Sequence, residues 1–353
     1  MNRRSLLRSA LAAGAALPVA GLGRAVFATS RPALLPPGLS ETAICRTAAI
    51  APVVLPAVKK LKLTWNANAV CTVGVPTALE KGFFERHNLD VELVNFGGST
   101  DQLLEAIATG KADAGVGMAL RWLKPLEMGF DVKIAAGIHG GCMRLWVAQG
   151  SDIKGLTDLR GKTIGVTDMA APDRNFFSIM LQKAGIDPGG DVQWRVFPAD
   201  VLPVALQKGE VQAFALGDPL GWMARDRDGF VELVNNLSGE YAHRTCCVLG
   251  IRGGLVRDER DVATALVQAL LGAQQWVAAN PDDAAAIFAP YAKAPAAQLA
   301  AMLRSHTHAH NPVGADLREQ VAAYATELKQ VSVLKPGTDP AKYAARVTVD
   351  LLT

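Results

Sequence analysis

A repeated strand–turn–helix pattern between residues 61 and 117 constrains the fold more than any other feature of this chain. Residues 61–65 (LKLTW) form a short β run, residues 76–89 carry helical apolar spacing opened by a proline, and residues 90–96 (DVELVNF) alternate like a strand. A Gly-Gly-Ser-Thr turn then leads into residues 101–117, which are helical up to a glycine and strand-like after it. Strands that alternate with helices in this way predict an α/β domain.

The same order of elements recurs in the second half of the chain. KTIGV (162–166) reads as a new first strand, and FFSIMLQKAG, DVQWRVF, VLPVALQKG and VQAFAL follow it as helix, strand, helix and strand. Further strands are predicted at residues 131–138, 144–149 and 246–253. The last of these would carry the chain back to the first unit, and from Val256 onward the apolar spacing is helical.

These patterns predict two α/β lobes joined by two crossing segments. The first lobe is expected to comprise residues 61–148 and 249–353, and the second lobe residues 149–248. About 300 residues suffice for two lobes of roughly 100–200 residues each. Half of the chain is apolar, which provides a core for both lobes.

Three segments in this order resemble a known family. ALEKGFFERHNLDVELV (78–94), EAIATGKADAGVG (105–117) and DLRGKTIGV (158–166) are similar to the periplasmic solute-binding proteins of ABC importers, in the nitrate/sulfonate/taurine group. The resemblance runs from about residue 61 to about residue 290. It implies the type II periplasmic binding protein fold, in which two α/β lobes joined by a two-segment hinge enclose a ligand cleft.

The N-terminus predicts export. Arg3 and Arg4 begin a twin-arginine motif, residues 10–22 are apolar and rich in alanine and glycine, and Val26-Phe27-Ala28 fits a signal-peptidase site. A membrane anchor is the alternative, but the run is too short to span a bilayer, which needs about 20 residues. We therefore predict a signal peptide over residues 1–28 and a soluble periplasmic protein exported by the twin-arginine route.

The mature chain has almost no net charge. Removing residues 1–28 takes away four arginines and no acidic residue, which leaves 32 basic against 33 acidic residues. The charges are interspersed, so we expect no nucleic-acid binding. Residues 29–60 are rich in proline and are interpreted as an extended tether or a strap on the first lobe.

Candidate ligand contacts lie where predicted strands end, because ligands of open parallel sheets bind beyond the carboxyl ends of the strands, near helix N-termini. The candidates in the first lobe are Trp65, Asn66, Asn68, Gly98, Ser99, Thr100, Met118 and His139. The candidates in the second lobe are Thr167, Asp168, Pro172, Asp173, Arg174 and Asp218.

Several of these residues have an alternative role. Ser99 and Thr100 can cap the following helix, and Asp173 and Asp218, each just before a helical run, can do the same. Arg174 is suited to a bidentate grip on a sulfonate or carboxylate. Its alternative is a solvated arginine in the first turn of a helix.

The cysteines are the unusual feature of this sequence, and the segments around Cys142 and Cys246-Cys247 resemble patterns in the nitrate-type branch of the family. The predicted fold brings three segments, which carry Cys71, Cys142 and the pair Cys246-Cys247, close to the hinge side of the cleft near His139. They are interpreted as buried apolar residues, as a disulfide, or as a soft metal site or reactive thiol. Cys246 and Cys247 are expected to point to opposite sides of their strand.

A His-x-His-x-His run near the C-terminal end of the chain is a candidate metal site. Its three histidines would share one face of a strand, which suits a transition metal, but the flanking sequence predicts a loop, so no metal site is assigned. The histidines are His306, His308 and His310. No zinc signature, nucleophile elbow or phosphate loop occurs elsewhere in the sequence.

These observations and the resemblance together predict a binding protein and no enzyme, cofactor or metal. The expected protein is a monomer that captures a small polar or anionic solute, such as nitrate, an alkanesulfonate or taurine, and delivers it to an inner-membrane ABC permease with its ATPase. The aspartates at the strand ends would oppose an anion, so the alternative solute is an aminopyrimidine, a thiamine precursor. A further alternative is a pyridoxal-phosphate enzyme like the thiamine-pyrimidine synthases, which needs a lysine in the cleft.

Overall fold

The computed structural model describes residues 51–96, 100–308 and 310–352. The predicted signal peptide and most of the predicted tether lie outside the described residues. Residues 53–55, near the end of that tether, lie against the first lobe. The amide of Val53 donates to Gln268 Oε1 (2.8 Å), and the Asn88 side chain donates to the Leu55 carbonyl (2.6 Å).

The first lobe contains a five-stranded sheet in the order β2-β1-β3-β10-β4. Its strands are β1 (Lys59–Trp65), β2 (Leu89–Asn95), β3 (Ala114–Met118), β4 (Val132–His139) and β10 (Cys247–Arg252). β1 runs parallel to β2 and β3, whereas β10 is antiparallel to both β3 and β4. The return strand is therefore inserted into the sheet and ties the late part of the chain to the early part.

The second lobe repeats this topology in the order β7-β6-β8-β5-β9. Its strands are β5 (Arg144–Val147), β6 (Thr163–Val166), β7 (Gln193–Val196), β8 (Ala213–Ala215) and β9 (Val231–Asn235). β6 is parallel to β7 and β8, and β5 is antiparallel to β8 and β9.

Helices cover both sheets and fill the C-terminal part of the chain. Those of the described residues are α1 (Gly74–Glu80), α2 (Thr100–Ala108), α3 (Ala119–Glu127), α4 (Pro172–Lys183), α5 (Leu202–Gln207), α6 (Leu220–Asp228), α7 (Gly253–Asp258), α8 (Arg260–Ala279), α9 (Pro281–Ala292), α10 (Ala296–Ser305), α11 (Gly314–Gln330) and α12 (Pro340–Val347).

One helix among the described residues, α8, is long and apolar enough to cross a membrane. In the structure 67% of its apolar window is buried within the protein, and the helix packs against α1 and β4. Burial of this kind is typical of a core helix, and it explains the long apolar run of the sequence without a membrane.

The helix predicted over residues 76–89 is shorter than expected. α1 ends at Glu80, and Gly82 has φ of 68°, in the left-handed region that favours glycine. Asn88 also adopts a left-handed conformation, directly before β2 begins at Leu89. Glycine therefore stops the helix although the apolar spacing continues through it.

The predicted lobe boundaries need a correction at both crossings. β5 was expected in the first lobe but pairs with β8 and β9 in the second, so the first crossing lies at residues 140–143. The second crossing, residues 236–246, follows β9, a strand that the sequence analysis did not predict. The pattern of a short apolar run such as RLWV predicts a strand but does not indicate which strand it pairs with, so the run could have joined either sheet.

Candidate functional site

A cavity of about 530 Å³ lies between the two lobes. This volume falls within the range of roughly 300–1,000 Å³ that is usual for small-molecule sites. Both lobes and the first crossing contribute to its walls. The lining residues are Asn66, Asn68, Ala69, Met118, Arg121, Cys142, Met143, Thr167, Asp168, Ala171, Pro172, Asp173, Pro198, Ala199, Leu216, Gly217, Asp218 and Leu220.

The cavity is at the carboxyl ends of the parallel strands, as the topology requires. β1 ends one residue before Asn66, and Met118 is the last residue of β3. In the second lobe β6 ends one residue before Thr167, and Asp218 lies three residues beyond β8. Parallel strands bring their ends to one edge of each sheet, and the two edges face each other across the cleft.

The structure places eight of the predicted contact residues on the cavity wall: Asn66, Asn68, Met118, Thr167, Asp168, Pro172, Asp173 and Asp218. Gly98 and Ser99 lie outside the described residues, and Thr100 is the first residue of α2.

Three predicted contacts do not line the cavity. Trp65 is 2% exposed and its ring packs edge-on against Phe288 and Tyr291 in the first lobe. His139 is completely buried and is not among the residues that line the cavity. Arg174 points away along α4, where its guanidinium lies 5.3 Å from the ring centroid of Trp194. Each residue of a helix is turned by about 100° from the one before it, so Arg174 lies about 200° around α4 from the cavity residue Pro172.

Arg121 is the cavity cation that the sequence analysis missed. It lies in the first turn of α3, three residues beyond the end of β3, and its guanidinium donates to Asp168 Oδ1 at 3.0 Å. Arg121 belongs to the first lobe and Asp168 to the second, so this ion pair crosses the cleft. The hydrogen bond that Arg121 donates to Asp168 lowers the pKa of the Asp168 carboxyl group.

Asp173 is a buried acid on the opposite wall. It is 6% exposed, and one carboxylate oxygen accepts the backbone N–H of Arg174 at 2.8 Å. Burial raises the pKa of Asp173 to about 7, against the opposing effect of that hydrogen bond. The carboxyl group is therefore partly protonated at neutral pH and can both donate and accept.

Asp218 holds a buried polar network beneath the cavity floor. One of its oxygens, Oδ2, accepts from Arg144 Nε at 2.9 Å and contacts His306 Nε2 at 2.7 Å. Arg144 is also paired with Glu232 and donates to Ser305 Oγ. Burial opposes the charge of Arg144, but the two carboxylates outweigh it and raise its pKa. Asp218 thus does not serve as a helix cap, the alternative considered above.

The four described cysteines form a ring of buried free thiols next to the hinge. The thiol of Cys247 donates to Cys71 Sγ at 3.0 Å, and Cys142 contacts both Cys71 and Cys246. Hydrogen bonds from Cys142 and Cys247 lower the pKa of Cys71 to about 6. The expectation that Cys246 and Cys247 point to opposite sides is wrong, because Cys246 lies in a bend before β10 and both side chains contact the ring.

Comparison with known proteins gives a consistent set of relatives. A sequence model of the NMT1-like family matches residues 56–291. The chain is 28% identical over 225 residues to a Brucella abortus (strain 2308) protein described as a binding protein. The matched region covers 63% of this chain and 68% of the Brucella protein. It is 24% identical over 232 residues to the bicarbonate-binding protein CmpA of a Synechococcus species, which covers 56% of this chain and 49% of CmpA.

The fold also matches a solved structure. The periplasmic aliphatic sulphonate binding protein SsuA from Escherichia coli superposes with a TM-score of 0.71 at 18% sequence identity, covering 83% of this chain and 93% of SsuA. Similarity at this level of identity reports on the two-lobed architecture alone.

Proposed function

This chain belongs to the NMT1-like family, among the nitrate/sulfonate/taurine solute-binding proteins, and on that premise we propose that it is the periplasmic solute receptor of an ABC importer. It captures one small polar solute between its lobes and delivers it to an inner-membrane permease with its ATPase. The receptor acts without catalysing a reaction. It reaches the periplasm as a monomer through the twin-arginine leader of residues 1–28.

The observation that carries this proposal is the position of the cavity between the lobes. A solute that touches Asn66 and Arg121 on one wall and Thr167 and Asp168 on the other makes both sets of contacts only when the lobes are closed. Binding therefore favours the closed conformation, because a ligand shifts an equilibrium by its difference in affinity for the two states. The crossings at residues 140–143 and 236–246 are the segments that would bend.

The charges on the wall favour a zwitterionic solute over a simple anion. Arg121 offers a guanidinium suited to a sulfonate or carboxylate, while Asp168 and Asp173 offer carboxyl groups suited to an ammonium. A free anion such as nitrate would meet Arg121 already paired with Asp168 and would face the second carboxyl group without compensation. An aminoalkanesulfonate such as taurine satisfies both kinds of group.

An aminopyrimidine is the second candidate. The partly protonated carboxyl group of Asp173 can pair with a ring nitrogen and an adjacent amino group, which is a recognition mode open to a neutral heterocycle. A pyridoxal-phosphate enzyme is less well supported, since none of the described residues that line the cavity is a lysine.

A thermal-unfolding screen tests the proposal. Protein stripped of co-purified ligand by unfolding and refolding should be mixed separately with taurine, ethanesulfonate, nitrate, bicarbonate, cyanate and an aminopyrimidine. A ligand at about 100 times its dissociation constant adds about 2.7 kcal/mol to the stability of the folded protein. We expect taurine to give the largest rise in midpoint.

The Arg121→Gln variant serves as the chemical control for this screen. It should lose the response to taurine and ethanesulfonate and keep any response to an aminopyrimidine, because only the first two need a guanidinium. The exposed Arg257→Gln variant should behave like the unaltered protein. Silence of all six solutes on stripped protein would refute the receptor proposal for these classes.

A further inference from the structure

Three buried histidines converge beside the hinge. His139 is the last residue of β4, and His306 and His308 lie in the segment that follows α10. One ring nitrogen from each of the three lies within 4.8 Å of those of the other two. Their exposed fractions are 0%, 9% and 5%, so the ring nitrogens face one another and not water.

The converging nitrogens have no hydrogen-bond partner. These atoms are His139 Nε2, His306 Nδ1 and one ring nitrogen of His308, whose other nitrogen is near the Leu303 backbone, and all are buried. Buried polar atoms are nearly always satisfied, since an unsatisfied one costs stability. One such atom in each of three neighbouring rings therefore points to a ligand that accepts lone pairs from all three.

Two of the rings are held by their opposite nitrogens. His139 Nδ1 lies 2.8 Å from the Gly140 carbonyl oxygen, and His306 Nε2 lies 2.7 Å from Asp218 Oδ2. When the proton sits on the bonded nitrogen, the lone pair of the other nitrogen is directed into the cluster. Metal-binding histidines are oriented in this way by a backbone carbonyl or a carboxylate on the far side of the ring.

The charges around the cluster favour a cation. Asp218 and Glu232 are both paired with Arg144, so this hydrogen-bonded group has two carboxylates for one guanidinium. These three side chains together carry a net charge of −1. The carboxylate of Asp218 contacts His306 Nε2, so negative charge lies directly beside the His306 ring. A divalent cation held by neutral imidazoles is stabilised by a carboxylate in this position.

The backbone is shaped to bring the two segments together. Gly140 donates its N–H to the Thr307 carbonyl at 2.9 Å, and a Cβ on Gly140 would lie 2.7 Å from Thr307 Cβ. His306 has φ of −97° and ψ of 158°, an extended conformation. Residues two apart in an extended segment face the same side, and this is why His306 and His308 reach the cluster together.

We propose that His139, His306 and His308 form a binding site for a divalent first-row transition-metal ion such as Zn²⁺. Nε2 of His139, Nδ1 of His306 and one nitrogen of His308 are the ligand atoms, and Asp218 orients His306. Nitrogens on a tetrahedral zinc, each about 2.0–2.1 Å from the ion, are roughly 3.4 Å apart, so small ring rotations complete the site. The site is independent of the identity of the solute in the cleft.

Metal titration of untagged mature protein tests this site. Protein stripped with a chelator under reducing conditions should bind one Zn²⁺ or Co²⁺ per chain. Bound Co²⁺ should show visible absorption typical of low-coordinate nitrogen ligation, and X-ray absorption of the zinc form should show three imidazole nitrogens. Zn²⁺ should also raise the unfolding midpoint.

Two variants and a matched control locate the ion. His308→Gln and His139→Gln should each lose at least about tenfold in Co²⁺ affinity. His310→Gln should keep it, because His310 belongs to the same run but contacts Gln320 outside the cluster. If one of these variants does not fold, the Co²⁺ affinity of the other variant and the X-ray absorption of the zinc-bound unaltered protein still test whether the three histidines hold the ion.

Three results would overturn the proposal. The first is failure of the unaltered protein to bind one ion per chain. The second is equal affinity in His139→Gln, His308→Gln and His310→Gln. The third is a near-ultraviolet sulfur-to-cobalt charge-transfer band with sulfur scatterers around zinc, which would assign the ion to the cysteine ring.

Discussion

Replacing Asp218 with alanine should lower the free energy of unfolding by about 3 kcal/mol, the lower end for a broken buried ion pair, because Arg144 loses its fully buried carboxylate and keeps only Glu232. The side chain of Arg144 is 6% exposed and that of Asp218 is completely buried, so both charges of this pair are desolvated in the folded protein. The same change removes the carboxylate oxygen that His306 Nε2 contacts at 2.7 Å. Urea unfolding of the metal-free protein measures the effect.

The matched control is a surface ion pair of the same chemistry. Asp282→Ala breaks the pair between Asp282 and Arg304, whose side chains are 73% and 52% exposed, and should cost less than about 1 kcal/mol. If Asp218→Ala proves as mild as Asp282→Ala, the buried network does not support the floor of the cleft in the way that the structure indicates.

Replacing Asp173 with asparagine should stabilise the protein at alkaline pH. Burial raises the pKa of Asp173 in the folded protein to about 7, whereas the unfolded chain has the ordinary value of 3.8. Between these two values the folded protein holds one more proton than the unfolded chain, so the stability falls as the pH rises from about 4 to about 7. Asparagine removes this loss and retains the oxygen that accepts the Arg174 N–H.

The free energy of unfolding that Asp173→Asn adds should be about 4 kcal/mol larger at pH 8 than at pH 4. This figure follows from the difference between a pKa of about 7 in the folded protein and 3.8 in the unfolded chain, at about 1.36 kcal/mol for each pH unit. Urea unfolding at both pH values, for this variant and for the exposed Asp283→Asn variant, gives the comparison. An equal effect of Asp173→Asn at pH 4 and pH 8 would show that the carboxyl group is not desolvated.

The order of most elements along the chain and the position of the cavity were predictable because both follow from local patterns. The turns after β1 and β6 are marked by changes in apolar periodicity, and parallel topology places each turn at the edge of its own sheet where ligands bind. For this reason Asn66, Asn68, Thr167 and Asp168 were predicted from the sequence and lie on the cavity wall.

Side-chain direction within helices was not predictable in the same way. Arg121 and Arg174 are both arginines in the first turn of a helix after a strand, yet only Arg121 reaches the cavity. Their directions depend on how each helix is rotated against its sheet, which is decided by packing. Arg174 instead stacks on Trp194 of β7, a residue 20 positions away.

The histidine cluster depended on contacts that are remote in sequence. The His-x-His-x-His run was assigned to a loop, and the structure confirms an irregular segment. Two histidines of this run form a cluster only together with His139, which lies more than 160 residues earlier. The close approach of the backbone at Gly140 to Thr307 brings the two segments together. The glycine pair after His139 was the available signal, because glycine marks places where two backbones meet.

Calorimetric titration of a cavity-filling variant tests the receptor account most directly. Ala199 lines the cavity, and Ala199→Trp would place an indole in the space proposed for the solute. With the solute found in the screen, Ala199→Trp should weaken binding by at least about tenfold, or 1.4 kcal/mol. Val204→Trp, on the exposed face of α5 in the same lobe, should bind like the unaltered protein. An Ala199→Trp variant that binds the solute as tightly as Val204→Trp would contradict the assignment of the cleft as the solute site.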